Sequence, residues 1–175
     1  MDEKPIFSDT DCLSCFISIN RTDILEKVFK KITIPIQVYE EFEIAPNKKL
    51  IKKIDELISE EFIEVKDLAT EVEKRNYTNF KRNYTKEPLG RGEASAITLA
   101  IMYNGILASN NTRDVIVLVK EYNIKWIKTG DILKKAIDKE IISEDEGNKI
   151  WEKMLNKGRL LGKYQTLTEY IEKND

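Results

Sequence analysis

Apolar positions along this chain change period repeatedly, and the changes mark out short strands alternating with helices. Ile6-Phe7-Ser8 reads as a strand, and the acidic turn behind it can cap a helix running through Ile19. Ile24, Leu25, Val28 and Phe29 recur at helical spacing between Asp23 and Lys30, and Lys31 joins them to the strand Ile32-Thr33-Ile34. Pro35 suits the first turn of a helix that reaches about Ile44 and is stopped by Pro46. Leu50, Ile51, Ile54, Leu57 and Ile58 mark a further helix, whereas Phe62-Ile63-Glu64-Val65 alternates as a strand does. Glu93 opens a helix that runs to Tyr103 and ends at Asn104-Gly105, and Ile106-Leu107-Ala108 is a strand. Ile124-Lys125-Trp126-Ile127 is another strand, followed by a helix around Ile132, Leu133, Ala136 and Ile137. Ser143 with Glu146 has the form of a capping box for a helix that ends at Gly158.

Two segments resist this scheme. Val115 to Val119 is β-branched enough to be a strand by propensity. A helix is expected instead, because Thr112 can cap it and the stretch from Gly105 to Ser109 already supplies the neighbouring strand. Lys66 to Pro88 is polar and supports nothing firmer than a helix or an excursion. Strands separated by single helices predict an α/β fold, a mostly parallel central sheet covered by helices on both faces. A length of 175 residues fits one domain over 1–175, with a polar, basic-aromatic segment at 66–88 and a helical C-terminal tail at 143–175.

Composition narrows the chemistry. A hydrophobic content of 41% with 34% charged residues describes a folded globular chain. The longest aliphatic run, Val115 to Val119, is far too short to span a bilayer, so no membrane association is expected. Asp2, Glu3, Asp9 and Asp11 argue against a secretory signal, and the expected location is the cytoplasm. The chain has no histidine, which excludes Ser-His-Asp and Cys-His nucleophile systems and Cys/His zinc sites. With a net charge of −2, any basic surface has to be local.

The acids supply the chemistry that remains. Asp9 follows the first strand directly, Glu41 lies about a turn into the helix after the second, Glu93 opens its helix, and Asp114 follows Ile106-Leu107-Ala108. In a parallel sheet all of them can face the crevice beyond the carboxyl ends of the strands. Carboxylates gathered from separate elements repel one another unless a cation binds, and oxygen ligands suit Mg²⁺ or Mn²⁺. Each acid taken alone is also an ordinary helix cap or dipole partner. Ser109 and Asn111 are open between turn formation and a polar role at such a site. The spacing of Cys12-Leu13-Ser14-Cys15 allows a dithiol oxidoreductase, although small packing cysteines on a half-buried helix explain it as well.

One local basic surface exists. Lys74-Arg75-Asn76-Tyr77-Thr78 recurs as Lys81-Arg82-Asn83-Tyr84-Thr85, with Phe80 between the copies. Seven residues is about two helical turns, so on a helix both Lys-Arg pairs share a face, with Tyr77 and Tyr84 on a neighbouring one. Cations beside aromatic rings suit single-stranded RNA. A solvated face whose tyrosines pack inward, or a grip on a protein segment, fits the pattern too.

Ser8-Asp9-Thr10-Asp11-Cys12-Leu13 resembles the opening motif of PIN domains, where an Asp-Thr pair ends the first strand. Ile34-Pro35-Ile36-Gln37-Val38-Tyr39-Glu40-Glu41-Phe42 resembles the family's proline-led helix with the second acid. Leu89-Gly90-Arg91-Gly92-Glu93-Ala94-Ser95-Ala96-Ile97 and Ala108-Ser109-Asn110-Asn111-Thr112-Arg113-Asp114 are similar to its third and final motifs. Asp11 stands where the family usually has Ser or Asn, and Val115 where it usually has Phe. The resemblance implies a three-layer α/β/α fold and a Mg²⁺- or Mn²⁺-dependent ribonuclease of the VapC toxin type. RNA is then the substrate, an antitoxin protein a candidate partner, and a homodimer a candidate assembly. It further implies that Asp9, Glu93 and Asp114 hold metal and that Glu41 (or Glu40) orients a water or second ion. Thr10, Ser109 and Asn111 would position water or phosphate, with Asp11 a secondary candidate. A catalytically silent PIN-like module that binds RNA or protein is the alternative.

Overall fold

A computed structural model of the chain describes residues 4–83 and 88–174, with the side chains of Asn83 and Asp114 outside the described set. Tyr84 and Thr85, the end of the second basic-aromatic repeat, lie outside the described residues. The strands are β1 (Ile6–Ser8), β2 (Ile32–Pro35), β3 (Ile63–Lys66), β4 (Ile106–Ala108) and β5 (Lys125–Ile127). They form one sheet in the order β3-β2-β1-β4-β5, with every neighbouring pair parallel. Phe7 sits opposite Thr33 on one side and Leu107 on the other. The chain steps outward from β1 to β3, then crosses back to lay β4 against the free side of β1. The reversal between β1 and β4 is the place where such sheets open a crevice beyond their carboxyl ends.

Helices cover both faces, and the pleat decides which residues feed which core. Ile6 and Ala108 point into a core shared with α1 (Thr10–Ser18), α2 (Thr22–Val28), α3 (Ile36–Ile44), α4 (Lys48–Ser59), α8 (Thr129–Asp138), α9 (Glu144–Asn156) and α10 (Leu167–Asn174). Phe7 and Leu107 point the other way, into a core with α5 (Glu71–Asn83), α6 (Arg91–Met102) and α7 (Thr112–Glu121). The three-layer α/β/α architecture predicted from the alternation is the one observed. The C-terminal tail belongs to the body, because Trp151, Leu167 and Tyr170 are buried in the first core. Among the described residues no helix is long and apolar enough to cross a membrane.

Val115 to Val119 is helical, and Val115 and Leu118, three apart, supply its buried stripe. The stretch that carried no clear period contains α5. Its start is a reciprocal capping box: Glu73 N–H donates to Thr70 Oγ1 at 3.1 Å, and Thr70 N–H donates to Glu73 Oε2 at 2.8 Å. The Tyr103 hydroxyl then ties Glu73 Oε1 to the end of α6 at 2.8 Å. The box expected at Ser143 forms in one direction. Glu146 N–H donates to Ser143 Oγ at 3.1 Å, while the Glu146 carboxylate pairs with Arg21 at 2.8 Å. Two boundaries also move. Pro35 ends β2 and caps α3 rather than lying inside it, and α6 begins at Arg91, which places Glu93 within its first turn.

Candidate active site at the carboxyl edge of the sheet

Asp9 occupies the switch point. Its N–H continues the β1–β4 ladder by donating to Ala108 O at 3.0 Å, and its backbone is extended, as an N-cap requires. Its Oδ1 accepts from Cys12 N–H at 2.9 Å, so it caps α1. Yet it is only 4% exposed, an unusual depth for a capping acid. Burial pushes its carboxyl from the ordinary 3.8 up to about 7, and the Asp11 and Glu93 carboxylates push the same way. Hydrogen bonds from the Ser109 hydroxyl and the Cys12 amide hold it down against them. An ordinary cap costs the fold nothing of this kind.

A cavity of about 220 Å³ opens in front of this residue, lined by Asp9, Thr10, Asp11, Glu41, Gly90, Glu93 and Asn111. Parts of all four sequence motifs therefore reach one place. Glu41 extends from α3, beside the buried Val38 and Phe42, to the start of α6. There its Oε1 accepts from Gly92 N–H at 2.8 Å, and the Thr10 hydroxyl donates to its Oε2. A Cβ on Gly92 would stand 2.7 and 2.9 Å from the two Glu41 oxygens and 2.9 Å from Val38, so the close approach requires glycine. The amino end of a helix also favours a carboxylate there.

Glu40 and Glu41 part company. Glu40 turns outward to Arg91 Nη2 at 2.5 Å, in an ion pair with both side chains well exposed, while Glu41 faces the cavity. Arg91 is hydrogen-bonded to Tyr77 as well, which brings α5 to the rim of the site. Ser109 is fully buried, bonded to Asp9, and receives the Asn111 N–H at 3.3 Å, so it serves the turn and the acid together. Asp114 lies in the first turn of α7, and its side chain is outside the described set.

Asn110, passed over in the sequence, braces the loop between Ser109 and α7. Its Oδ1 accepts from Thr129 N–H at 2.9 Å and its Nδ2 donates to Cys15 Sγ at 3.4 Å. Its neighbour in the motif, Asn111, is the same residue type, so the sequence alone does not separate their roles. The two cysteines are buried and unlinked, and burial raises both thiols, Cys15 to about 11. An activated dithiol needs the opposite shift, so the pair packs.

The donor set is all oxygen and anionic, which suits a hard divalent cation. Asp9 and Glu93 interact across the cavity, with Asp11 at its mouth. Among the described residues no three acidic, cysteine or histidine side chains already converge on a point.

On the basic surface, Lys74, Arg75 and Arg82 line a shallow groove along α5 with Thr78, Asn79 and one acid, Glu71, which pairs with Lys74 at 3.4 Å. Lys81 lies 5.8 Å over the ring of Tyr77, which is half-buried against the second core. The face is cationic as expected, but Tyr77 is committed to packing and to Arg91.

The sequence model of a family described as a PIN domain matches residues 5–173. No curated protein matches the chain.

Proposed function

Taking as premise that the chain belongs to the PIN-domain family, we propose that it is a Mg²⁺- or Mn²⁺-dependent endoribonuclease of the toxin type. The observation that carries this reading is Asp9. Its carboxyl is buried at the switch point and its anion is opposed by burial, by Asp11 and by Glu93. The cap on α1 could be made by an exposed residue, so the depth of this acid is better explained by a bound cation.

Asp9, Glu93 and Asp114 would hold that cation. Held there, such an ion would supply Lewis-acid chemistry for phosphodiester hydrolysis. Ser109 fixes the Asp9 carboxylate by its hydroxyl. Glu41, clamped between Gly92 and Thr10, has one orientation from which to align a water. Asn111 lines the cavity and offers an amide to a phosphate oxygen. Arg75, Lys81 and Arg82 on α5 neutralise RNA phosphates leading toward the rim at Arg91. An antitoxin segment that covers the same acids would silence the site.

The test is cleavage of single-stranded RNA with and without Mn²⁺, by the wild type and by Asp9→Asn. Cleavage is expected from the wild type with Mn²⁺ alone. Cation-independent cleavage, or undiminished cleavage by the variant with trace wild type excluded, overturns the reading.

A further inference from the structure

Behind the acid cavity lies a second one of about 450 Å³. The loop from Ser109 to Thr112 is their common wall. Asn111 lines the acid cavity, while Asn110 and Thr112 line the second. Its far wall is aromatic. The Trp151 and Tyr170 ring centroids are 5.4 Å apart, and Tyr164 stands edge-on to Tyr170 at 5.4 Å and 89°. Trp151 and Tyr170 are buried and form the back, whereas Tyr164 is half-buried in the lining. Glycine at 130 makes room for this wall, since a Cβ there would fall 2.3 Å from the Tyr170 ring.

Lys128 and Lys163 stand among the lining residues, and the lining includes no carboxylate. Lys163 lies 5.8 Å over the Tyr164 ring and Lys128 4.6 Å over Trp126, and among the described residues neither makes an ion pair. The nearest acid of α8, Asp131, is spent inside the protein on Lys128 N–H and the Tyr170 hydroxyl, each at 2.8 Å. Asn174 closes the pocket from the end of α10.

An aromatic pocket with lysines and amides around it selects a flat ring that carries a phosphate. We propose that it takes the nucleobase of an unpaired nucleotide, and, where the ribonuclease reading holds, that of the nucleotide adjoining the scissile phosphate. The base lies against Tyr164 with its edge toward Thr112 and Asn174, and Lys128 and Lys163 take its phosphate. The shared loop then sets the distance between the recognised base and the cut. Single-stranded RNA is favoured at that point, since a paired base must first give up its partner and its stack to enter.

The binding arm needs no divalent cation, so its outcome is independent of whether the chain cuts RNA. Uridine and adenosine 5′-monophosphates and ribose 5-phosphate are titrated into the full chain in EDTA by calorimetry, with amide shifts mapped by NMR. Nucleoside monophosphates are expected to bind about tenfold or more tightly than ribose 5-phosphate, the scale of one base stacked on one ring. Shifts should centre on Gly162, Lys163 and Tyr164. Lys163→Gln, an exposed change that leaves the core intact, should weaken binding several-fold, and Tyr164→Phe should keep it. Equal binding of ribose 5-phosphate, no binding of either nucleotide, or shifts confined to α5 overturns the assignment. If nucleotides bind here but Mn²⁺ elicits no RNA cleavage, the pocket stands and the ribonuclease reading falls.

Discussion

The two edges of the sheet carry opposite charge, and they bear it differently. At the carboxyl edge stand Asp9, Asp11, Glu41 and Glu93. At the amino edge a cleft of about 600 Å³ is lined by Lys4, Lys30, Lys31, Lys125 and Lys135 over a floor of Ile6, Phe29 and Ile106. The signs have one cause. With all strands parallel, the helices return antiparallel, so their amino ends meet the acids and their carboxyl ends meet the lysines. Lys135 is in the last turn of α8, Lys30 and Lys31 follow the end of α2, and Lys4 bonds Asn104 just beyond α6 at 2.8 Å. The difference is hydration. Every one of those lysines is exposed, whereas Asp9 is buried. Water, the helix ends and the Lys31–Glu64 pair at 3.0 Å accommodate the lysine edge, while the hydrogen bonds from Ser109 and Cys12 offset only part of the cost of ionising Asp9. A cluster of charge marks a site when it is desolvated, and its sign alone does not.

The largest expected effect is a pH dependence of stability set by Asp9 at the acid edge. The Asp9 carboxyl is near 7 folded and near 3.8 unfolded. Below the unfolded value it is neutral in both states and costs nothing. As pH rises, the unfolded chain releases the proton first, so stability is lost between about pH 4 and pH 7. Some three pH units correspond to a loss on the order of 4 kcal/mol. Unfolding free energies from urea titration, wild type minus Asp9→Asn, in EDTA across that window, should fall by this scale. Saturating Mn²⁺ should restore the wild type at pH 7 and leave the variant nearly unmoved. A flat difference curve would falsify the claim that burial at this edge is costly.

Next in size is Gly92→Ala. The added methyl lands within 2.9 Å of both Glu41 oxygens and of Val38, so Glu41 must leave its seat on α6. Overpacking of this kind costs about 1–3 kcal/mol, and the Mn²⁺-dependent rate should fall with it. Gly90→Ala is the control, because a Cβ there meets nothing within 4 Å. Equal thermal midpoints for the two variants would show that the clamp on Glu41 is slack.

Much of this edge was legible in the sequence because its physics is local. A strand that stops at an acid, a proline before a helix and a glycine before an acid each announce themselves within a few residues. Asp9, Glu41 and Glu93 could be named from such punctuation, and their convergence follows from a parallel sheet. The choice between Glu40 and Glu41 was harder, because it turns on Arg91, distant in the chain. The aromatic pocket was not legible at all. Trp151, Tyr164 and Tyr170 come from α9, a turn and α10, and Gly130 from α8, with no shared period to link them. The start of α5 is a different failure. Thr70 and Glu73 are three apart, a local capping signal, obscured by the polarity of everything after it.

A smaller effect separates cations by their place. Arg75, Lys81 and Arg82 lie on the helix that reaches the acid rim through Tyr77 and Arg91. Replacing all of them with Gln should weaken single-stranded RNA binding about tenfold at low salt and flatten its salt dependence. Mn²⁺ affinity, read from thermal shifts, should not change. An unaltered RNA affinity at low salt would return this face to the role of a solvated helix surface.

The smallest effect is expected at the lysine edge, and it bears directly on the contrast between the edges. If those lysines only complement helix ends, Lys30→Gln and Lys125→Gln should each move stability by no more than about 0.5 kcal/mol, as exposed changes do. That shift should shrink further in high salt, where exposed charge is screened. RNA affinity should stay at the wild-type value, in contrast to the α5 substitutions, although both sets remove exposed positive charge from a chain of net charge −2. Filter binding on the Lys30→Gln, Lys125→Gln double variant decides the matter. A loss of RNA affinity matching that of the α5 triple variant would mean that the molecule attracts RNA through its overall field. An unchanged affinity would mean that the path to the acids runs over α5.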